Sequence, residues 1–200
     1  MVVLSQIYTR TGDDGSTSLG DMSRTHKTDP RLVAYADVDE ANSAIGVAVT
    51  CGDLPADVVQ ALTRVQNDLF DVGADLCTPL APTYAHPPLR VHAAWVDELE
   101  QACDRFGEPL ETLRSFVLPG GTPGSAYLHV ARTVTRRAER ATWAAVEAYG
   151  TGDEGGVNPL TARYLNRLSD LLFVLGRYAN HDRGGDVLWA PGGGREPVPE

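Results

Sequence analysis

Six apolar residues, Val58, Leu62, Val65, Leu69, Val72 and Leu76, follow one another at alternating steps of four and three. Only an α-helix gathers residues so spaced into one stripe, and such a stripe needs other helices to cover it. The spacing predicts a helix opened by Asp53-Leu54-Pro55, ended near Cys77 and set in a bundle. Val91, Trp95, Leu99, Ala102 and Phe106 carry the same signature over about Leu89 to Phe106, with Gly107 as C-terminal cap. Tyr164, Leu168, Leu171, Leu175 and Tyr178 repeat it after Asn158-Pro159, a cap-plus-proline start. Asp29-Pro30 opens another helix by the same logic, running to about Thr50 with Val38, Ala41, Ile45 and Ala48 inward. A fifth, Tyr127 to Tyr149, lacks Gly and Pro, is rich in Ala, Arg and Glu, and has Ser125 as its expected cap.

Between these segments, Pro79, Pro82, Pro87 and Pro88 hold one loop open, and Ser115 to Gly124 reads as extended and turn-rich. Thr151 to Val157 reads as a flexible connection, and the last ten residues as disordered. No internal repeat and no convincing strand pair stands out. The expected fold is all-α, an antiparallel five-helix bundle in a single domain. Within it, residues 1–28 form an N-terminal segment, 29–182 the bundle and 183–200 a Gly/Pro-rich tail.

The chain carries a formal net charge of -10, with 42% hydrophobic and 22% charged residues. That suits a chain able to bury a core, and it argues against nucleic-acid or membrane-surface partners, which need broad positive fields. No run approaches the ~20 apolar residues that cross a bilayer, and the first residues lack the basic start of a secretory signal. Cys51, Cys77 and Cys103 are scattered and read as reduced thiols, so a cytoplasmic location is expected. Against this acidity, Arg132, Arg136 and Arg140 line one helix face, with Arg137 about 100° away and Glu139 three residues beyond Arg136. A row of cations on an acidic chain is either a face of ion pairs or a site for an anion. One of Asp37, Asp39 and Glu40 is an expected partner within the run Arg132 to Arg140.

Ile7 to Asp21 supplies Gly12, Gly15 and Gly20 and hydroxyls from Thr9, Thr11, Ser16, Thr17 and Ser18. Such a loop can aim backbone N–H groups at phosphate oxygens. It is not a P-loop, because Asp21 and Met22 stand where Lys and Ser/Thr belong. With Arg10 and Lys27, the only lysine, it makes a plausible phosphate cradle. Asn166 lies off its helix seam, on a face shared with Asp170, where it can make directed hydrogen bonds. No Glu has a His three residues later, the five histidines lack zinc spacing, and no nucleophile motif is present, so neither side-chain metal ligation nor covalent catalysis is expected.

The blocks YTRTGDDGSTSLGD (Tyr8–Asp21), DVDEANSAIG (Asp37–Gly46), FVLPGG (Phe116–Gly121), HVARTVTRRAER (His129–Arg140) and YLNRLSDLLFVLGRYAN (Tyr164–Asn180) occur in one order. In them the chain resembles the PduO-type ATP:cob(I)alamin adenosyltransferases. The resemblance implies a five-helix bundle (ferritin-like, cobalamin adenosyltransferase-like) assembled as a homotrimer with active sites between subunits. It implies ATP held by Thr9, Arg10, Thr11, Gly12, Thr17, Ser18 and Lys27, and by Arg136, Arg137, Ala138, Glu139, Arg140 and Asn166. It also implies an inter-subunit pair of Asp39 with Arg132, Phe116 closing the lower face of the corrin ring, and Mg²⁺ accompanying ATP. The reaction implied is adenosyl transfer from ATP to the cobalt of cob(I)alamin with loss of triphosphate. A reductase and an adenosylcobalamin-dependent acceptor enzyme are the implied partners. The alternatives are a carrier or sensor holding ATP or corrinoid without turnover, and a structural bundle whose arginines only pair with acids.

Overall fold

The computed structural model describes residues 8–193. The elements run β1 (Ser16–Ser18), β2 (Arg24–His26), α1 (Pro30–Cys51), α2 (Ala56–Cys77), α3 (Ala93–Gly107), α4 (Pro123–Tyr149) and α5 (Pro159–His181). Three helices start as cap chemistry dictates. The Asp29 carboxylate accepts from the Arg31 N–H and the Asn158 side chain from the Leu160 N–H, each with proline in the first turn. At α4 the cap is Thr122, not Ser125. The Thr122 hydroxyl accepts from the Ser125 N–H, and Ser125 lies inside the first turn, fully buried.

The stripes become the core. Val58, Leu62, Val65, Leu69, Val72 and Leu76 are each at most 2% exposed. They meet Val38, Ile45 and Ala48 of α1 and Leu165, Leu168, Leu171 and Leu175 of α5 in one cluster. α4 packs between α1 and α5, α2 covers α1, and α3 covers α5. Successive neighbours α1/α2, α1/α4 and α4/α5 run antiparallel. α3 lies along α5 in the same direction, with Trp95 edge-on to Tyr164 near their starts and Phe106 edge-on to Tyr178 near their ends. The buried face of α4 carries small residues, Gly124, Ser125, Ala131, Thr135, Ala138, Thr142 and Ala145, except at Leu128 and His129. Its first turn touches the end of α1 at two glycines, where a Cβ on Gly124 would stand 2.7 Å from the Gly52 carbonyl.

Four connections differ from expectation. A short antiparallel hairpin is present, pairing Ser16 with His26 and Ser18 with Arg24; its strands are too short and polar to leave a period-2 signal. α3 begins at Ala93, four residues after its expected start. The Val91 N–H is taken by the Asp75 carboxylate and the Val91 carbonyl by the Asn158 amide, which keeps that stretch extended. Gly107 closes α3 from within, and the cap is Glu108. The connection 151–157 is tied down, since the Arg31 guanidinium donates to the Gly155 and Gly156 carbonyls and Leu80 exchanges backbone bonds with both glycines.

Beyond α5 the chain returns along 115–118. The Leu118 N–H bonds the Val187 carbonyl and the Trp189 N–H the Phe116 carbonyl. Of the last ten residues, 191–193 form part of a turn, and residues 194–200 lie outside the described residues.

Candidate active site

The arginines of α4 divide by direction. Arg137 turns to α1, where it pairs with Asp37 at 3.5 Å and with Glu40. The acid cluster of α1 therefore does meet an arginine, but the one that stands off the i, i+4 face. Arg132, Arg136 and Arg140 make no ion pair among the described residues. Arg140 donates to the Arg136 carbonyl at 3.2 Å. Glu139 does not bridge to Arg136; it accepts from the Asn166 amide at 3.3 Å, which ties α5 to this face. Ala138 is fully buried, so its side chain is turned away from any ligand. The result is a row of three cations, rising about 12 Å along the helix, without internal counter-charge.

The row passes from half-buried to open. At its first member, burial and then the like charge of Arg136 press the Arg132 guanidinium below its ordinary value, and its Nε has no partner. The Arg132 guanidinium lies over the Phe173 ring, 6.0 Å from its centroid. Arg136 and Arg140 are exposed. One turn before Arg132, His129 is 2% exposed and edge-on to the same Phe173 ring.

The N-terminal loop forms a second cluster. The Lys27 ammonium folds against Gly12, where a Cβ would stand 3.1 Å from Nζ. Gly12 leaves that space, and Arg10 takes a positive φ of 61°. The Thr9 and Thr11 hydroxyls lie 2.9 Å apart, and Thr17 and Ser18 sit on β1 opposite Thr25 and Arg24. Ser16 N–H and O–H bonds hold the exposed Asp14 carboxyl below its usual range. This cluster sits where α4 ends, since the Tyr149 hydroxyl donates to Asp29 at 2.6 Å. Within one chain, no hydrogen bond or ion pair among the described residues joins it to the arginine row.

The third part lies at the opposite end. Phe116 is 77% exposed, so it does not plug the bundle. Its ring stacks at a tilt on Trp189 of the returning segment, centroids 5.8 Å apart. Leu118, Leu188 and Trp189 border a cleft of about 400 Å³. Arg177 pairs with Asp186 at 2.7 Å and fixes the return. In the sequence Trp189 and Asp186 fall within the Gly/Pro-rich tail 183–200, and neither they nor His129 stood out as site residues. The spacing of His129, three residues before Arg132, was the available signal for one of them.

Asp39 borders a groove of about 510 Å³ between α1 and α2, beside Phe70, which is 72% exposed. It forms no ion pair with Arg132 within the chain. A cavity of about 560 Å³ under the proline loop is bordered by Gly20, Asp21 and Met22 of the hairpin turn and so adjoins the second cluster, away from Phe116 and Trp189.

Fold and site together define a helical bundle that offers an uncompensated cation row between a Gly/Thr hairpin and an exposed aromatic pair. The cobalamin adenosyltransferase family model matches residues 7–179, and the chain belongs to that family. It is 60% identical over 194 residues to a corrinoid adenosyltransferase of Mycobacterium tuberculosis (strain ATCC 25618 / H37Rv), covering 97% of each chain. It is 58% identical over 193 residues to that of Mycobacterium leprae (strain TN), covering 95% of this chain and 98% of the relative. Its fold matches a variant PduO-type ATP:corrinoid adenosyltransferase from Lactobacillus reuteri, solved with cobalamin and ATP. That match has a TM-score of 0.82 at 35% identity and covers 92% of this chain and 99% of the other.

Proposed function

We infer that this chain transfers the 5′-deoxyadenosyl group of ATP to the cobalt of reduced cob(I)alamin, releasing inorganic triphosphate. The observation that carries the reading is the unpaired row Arg132–Arg136–Arg140, in a chain that matches corrinoid adenosyltransferases over nearly its whole length. Co(I) supplies an electron pair to C5′ of the ribose, the Co–C bond forms, and the C5′–O bond breaks with its electrons going to triphosphate. Negative charge grows on the leaving oxygen. Arginines hold that charge without a proton transfer, because they stay cationic at any working pH and present two donors at once. Cations held in place before reaction begins act where charge develops.

The segment of residues 8–28, with Thr9, Arg10, Thr11, Gly12, Thr17, Ser18 and Lys27, holds the phosphates. Arg136, Arg140, Glu139 and Asn166 complete that site, with Arg137 braced by α1. The hairpin and the arginine row do not meet within one chain, which favours a site shared between neighbours in a homotrimer. Asp39, beside the open groove at Phe70, then reaches Arg132 of the next copy. Phe116 and Trp189 form the apolar face against which the corrin ring lies, and 183–193 serve as its brace. An apolar residue beneath cobalt leaves the lower axial position unligated, which makes Co(I) easier to reach. Mg²⁺ arrives bound to the phosphates; among the described residues no three His, Cys, Asp or Glu side chains gather to hold a metal. No helix of the described residues is long and apolar enough to cross a membrane. We place the chain in the cytoplasm, drawing on a reductase and delivering to an adenosylcobalamin-dependent enzyme.

The test is an anaerobic assay with ATP and chemically reduced cobalamin. The adenosylcobalamin spectrum with triphosphate released is the expected result. ATP binding without spectral change would make the chain a carrier or sensor.

A further inference from the structure

Five buried side-chain polar atoms among the described residues have no hydrogen-bond partner: Asn42 Oδ1, His129 Nδ1 and Nε2, Arg132 Nε and Asp186 Oδ1. Four of the five belong to one neighbourhood, where α4, α5 and the returning segment meet. Buried polar atoms left unpaired lower stability, so a native chain that keeps several together holds them for another state. His129 is the centre of the group. It is 98% buried, lies edge-on to Phe173 and has Gly176 of α5 alongside, where a Cβ would stand 3.5 Å from Nε2. Leu, Phe or Met would fill this place more stably.

Arg132 is the complementary group. It follows His129 by three residues on the same face, a spacing that brings side chains within reach. The two share the Phe173 ring, each 6.0 Å from its centroid. A neutral imidazole has one donor and one acceptor nitrogen, and the arginine Nε–H is a donor. Each side lacks what the other offers.

We propose that His129, as a neutral imidazole, accepts a hydrogen bond from Arg132 Nε–H in the substrate-loaded state and so fixes the plane in which that guanidinium faces its anionic partner. This rests on the reading above, in which Arg132 belongs to the transfer site. His129 is then a positioning residue. It touches no substrate and acts only through Arg132. The charged groups around it suit the role. Burial, then Arg132, keep the imidazole below its ordinary value, and Asp186 on the returning segment opposes them. The side chains facing it from α5 and the first turn of α4, Phe173 and Ser125, do not titrate. Protonation turns the acceptor into a donor beside a cation and breaks the arrangement.

The experiment compares wild type, His129→Phe and His129→Gln for turnover with ATP and reduced cobalamin from pH 5 to 8, alongside thermal unfolding. Phenylalanine keeps the aromatic packing and removes both nitrogens. Glutamine keeps an acceptor that does not titrate in this range. His129→Phe is expected to unfold no earlier than wild type yet lose about 10- to 100-fold in kcat, the loss of one hydrogen bond to a charged group. His129→Gln is expected to stay within about threefold of wild type at pH 8. It should also lack the acid fall in kcat that wild type shows below the ordinary histidine value. His129→Phe at wild-type kcat overturns the proposal. Should that variant fold poorly, a His129→Gln profile with an unchanged acid limb overturns it equally. Wild-type turnover tests the adenosyltransferase reading separately, so either idea can fail alone.

Discussion

Where α1 and α5 begin, buried charge is saturated with partners; where α4 begins, rings stand in solvent and buried polar atoms stand alone. At the first end, the Arg31 guanidinium donates to the carbonyls of Leu76, Gly155 and Gly156 and stacks over Tyr149 at 4.9 Å. Asp75, 1% exposed, receives Arg90 at 2.5 Å, the Val91 N–H at 2.7 Å and the Asn158 amide at 2.7 Å. At the second end lie Phe116 and Trp189, open to solvent, and His129, Arg132 and Asp186, each with an unpaired atom. Buried charge is tolerable only when its hydrogen bonds are made, so the first end is fixed in place. The second end has made bonds at Asn180 and at the Arg177–Asp186 pair, but around His129 and Arg132 it keeps interactions unmade, as a surface awaiting a ligand does. Firmness and reactivity are thus separated along the bundle axis, and the arginine row of α4 runs between them.

The contrast can be broken most sharply at Asp75. Asp75→Ala strips the Val91 N–H of its acceptor and the Arg90 cation of its carboxylate, leaving Arg90 and the Asn158 amide their carbonyl partners, and should lower unfolding free energy by about 3–5 kcal/mol in urea titration. A loss under about 1 kcal/mol would remove the distinction between the ends. Arg136→Ala should do the reverse. Exposed and unpaired, it should shift stability by less than about 0.5 kcal/mol while turnover drops about 10²- to 10³-fold. Near-normal turnover would take Arg136 out of the mechanism. Phe116→Ala should also leave stability almost untouched and slow adenosylation by about tenfold or more, with the KM for ATP little changed. Equal losses in both would assign the ring to packing instead.

The smallest effect is in pH. Burial holds the folded-state pKa of His129 below its unfolded value near 6.5, so the unfolded chain binds the proton first. Stability from this group is complete above about pH 6.5 and is lost as pH falls through the folded-state value. His129→Phe should flatten that portion of a stability–pH curve. An unchanged slope would locate the titration elsewhere.

The sequence announced the bundle because seams such as Val58 to Leu76 need only local spacing to be read. Caps at Asp29 and Asn158 were legible for the same reason, while Thr122 was hidden behind Pro123 and a neighbouring serine. The extended start of α3 was not legible. It depends on Asp75, sixteen residues before Val91, and on Asn158, sixty-seven residues after it. The arginine row was visible as spacing, but which arginine would be neutralised was not. That depends on Arg137 facing Asp37 and Glu40 across a helix packing that no local pattern encodes. The Phe116–Trp189 pair escaped for a like reason, being closed by a returning segment seventy-three residues further on, whose sequence mark is its Gly and Pro content.

One contact made of almost nothing sets the aim of all this. Gly52 and Gly124 meet without side chains, and a methyl group on Gly124 would strike the Gly52 carbonyl and Leu54. The first turn of α4 would have to back away from α1. With it would move Thr122, held to Asn180 at 2.9 Å, and the chain leading back to Phe116. Gly124 works as a spacer gauge for the aromatic wall, though it bears no charge and faces no ligand. In a saturation library selected for adenosylation, replacements of Gly124 should vanish as thoroughly as those of Arg136, while the neighbouring exposed Tyr127 drifts freely.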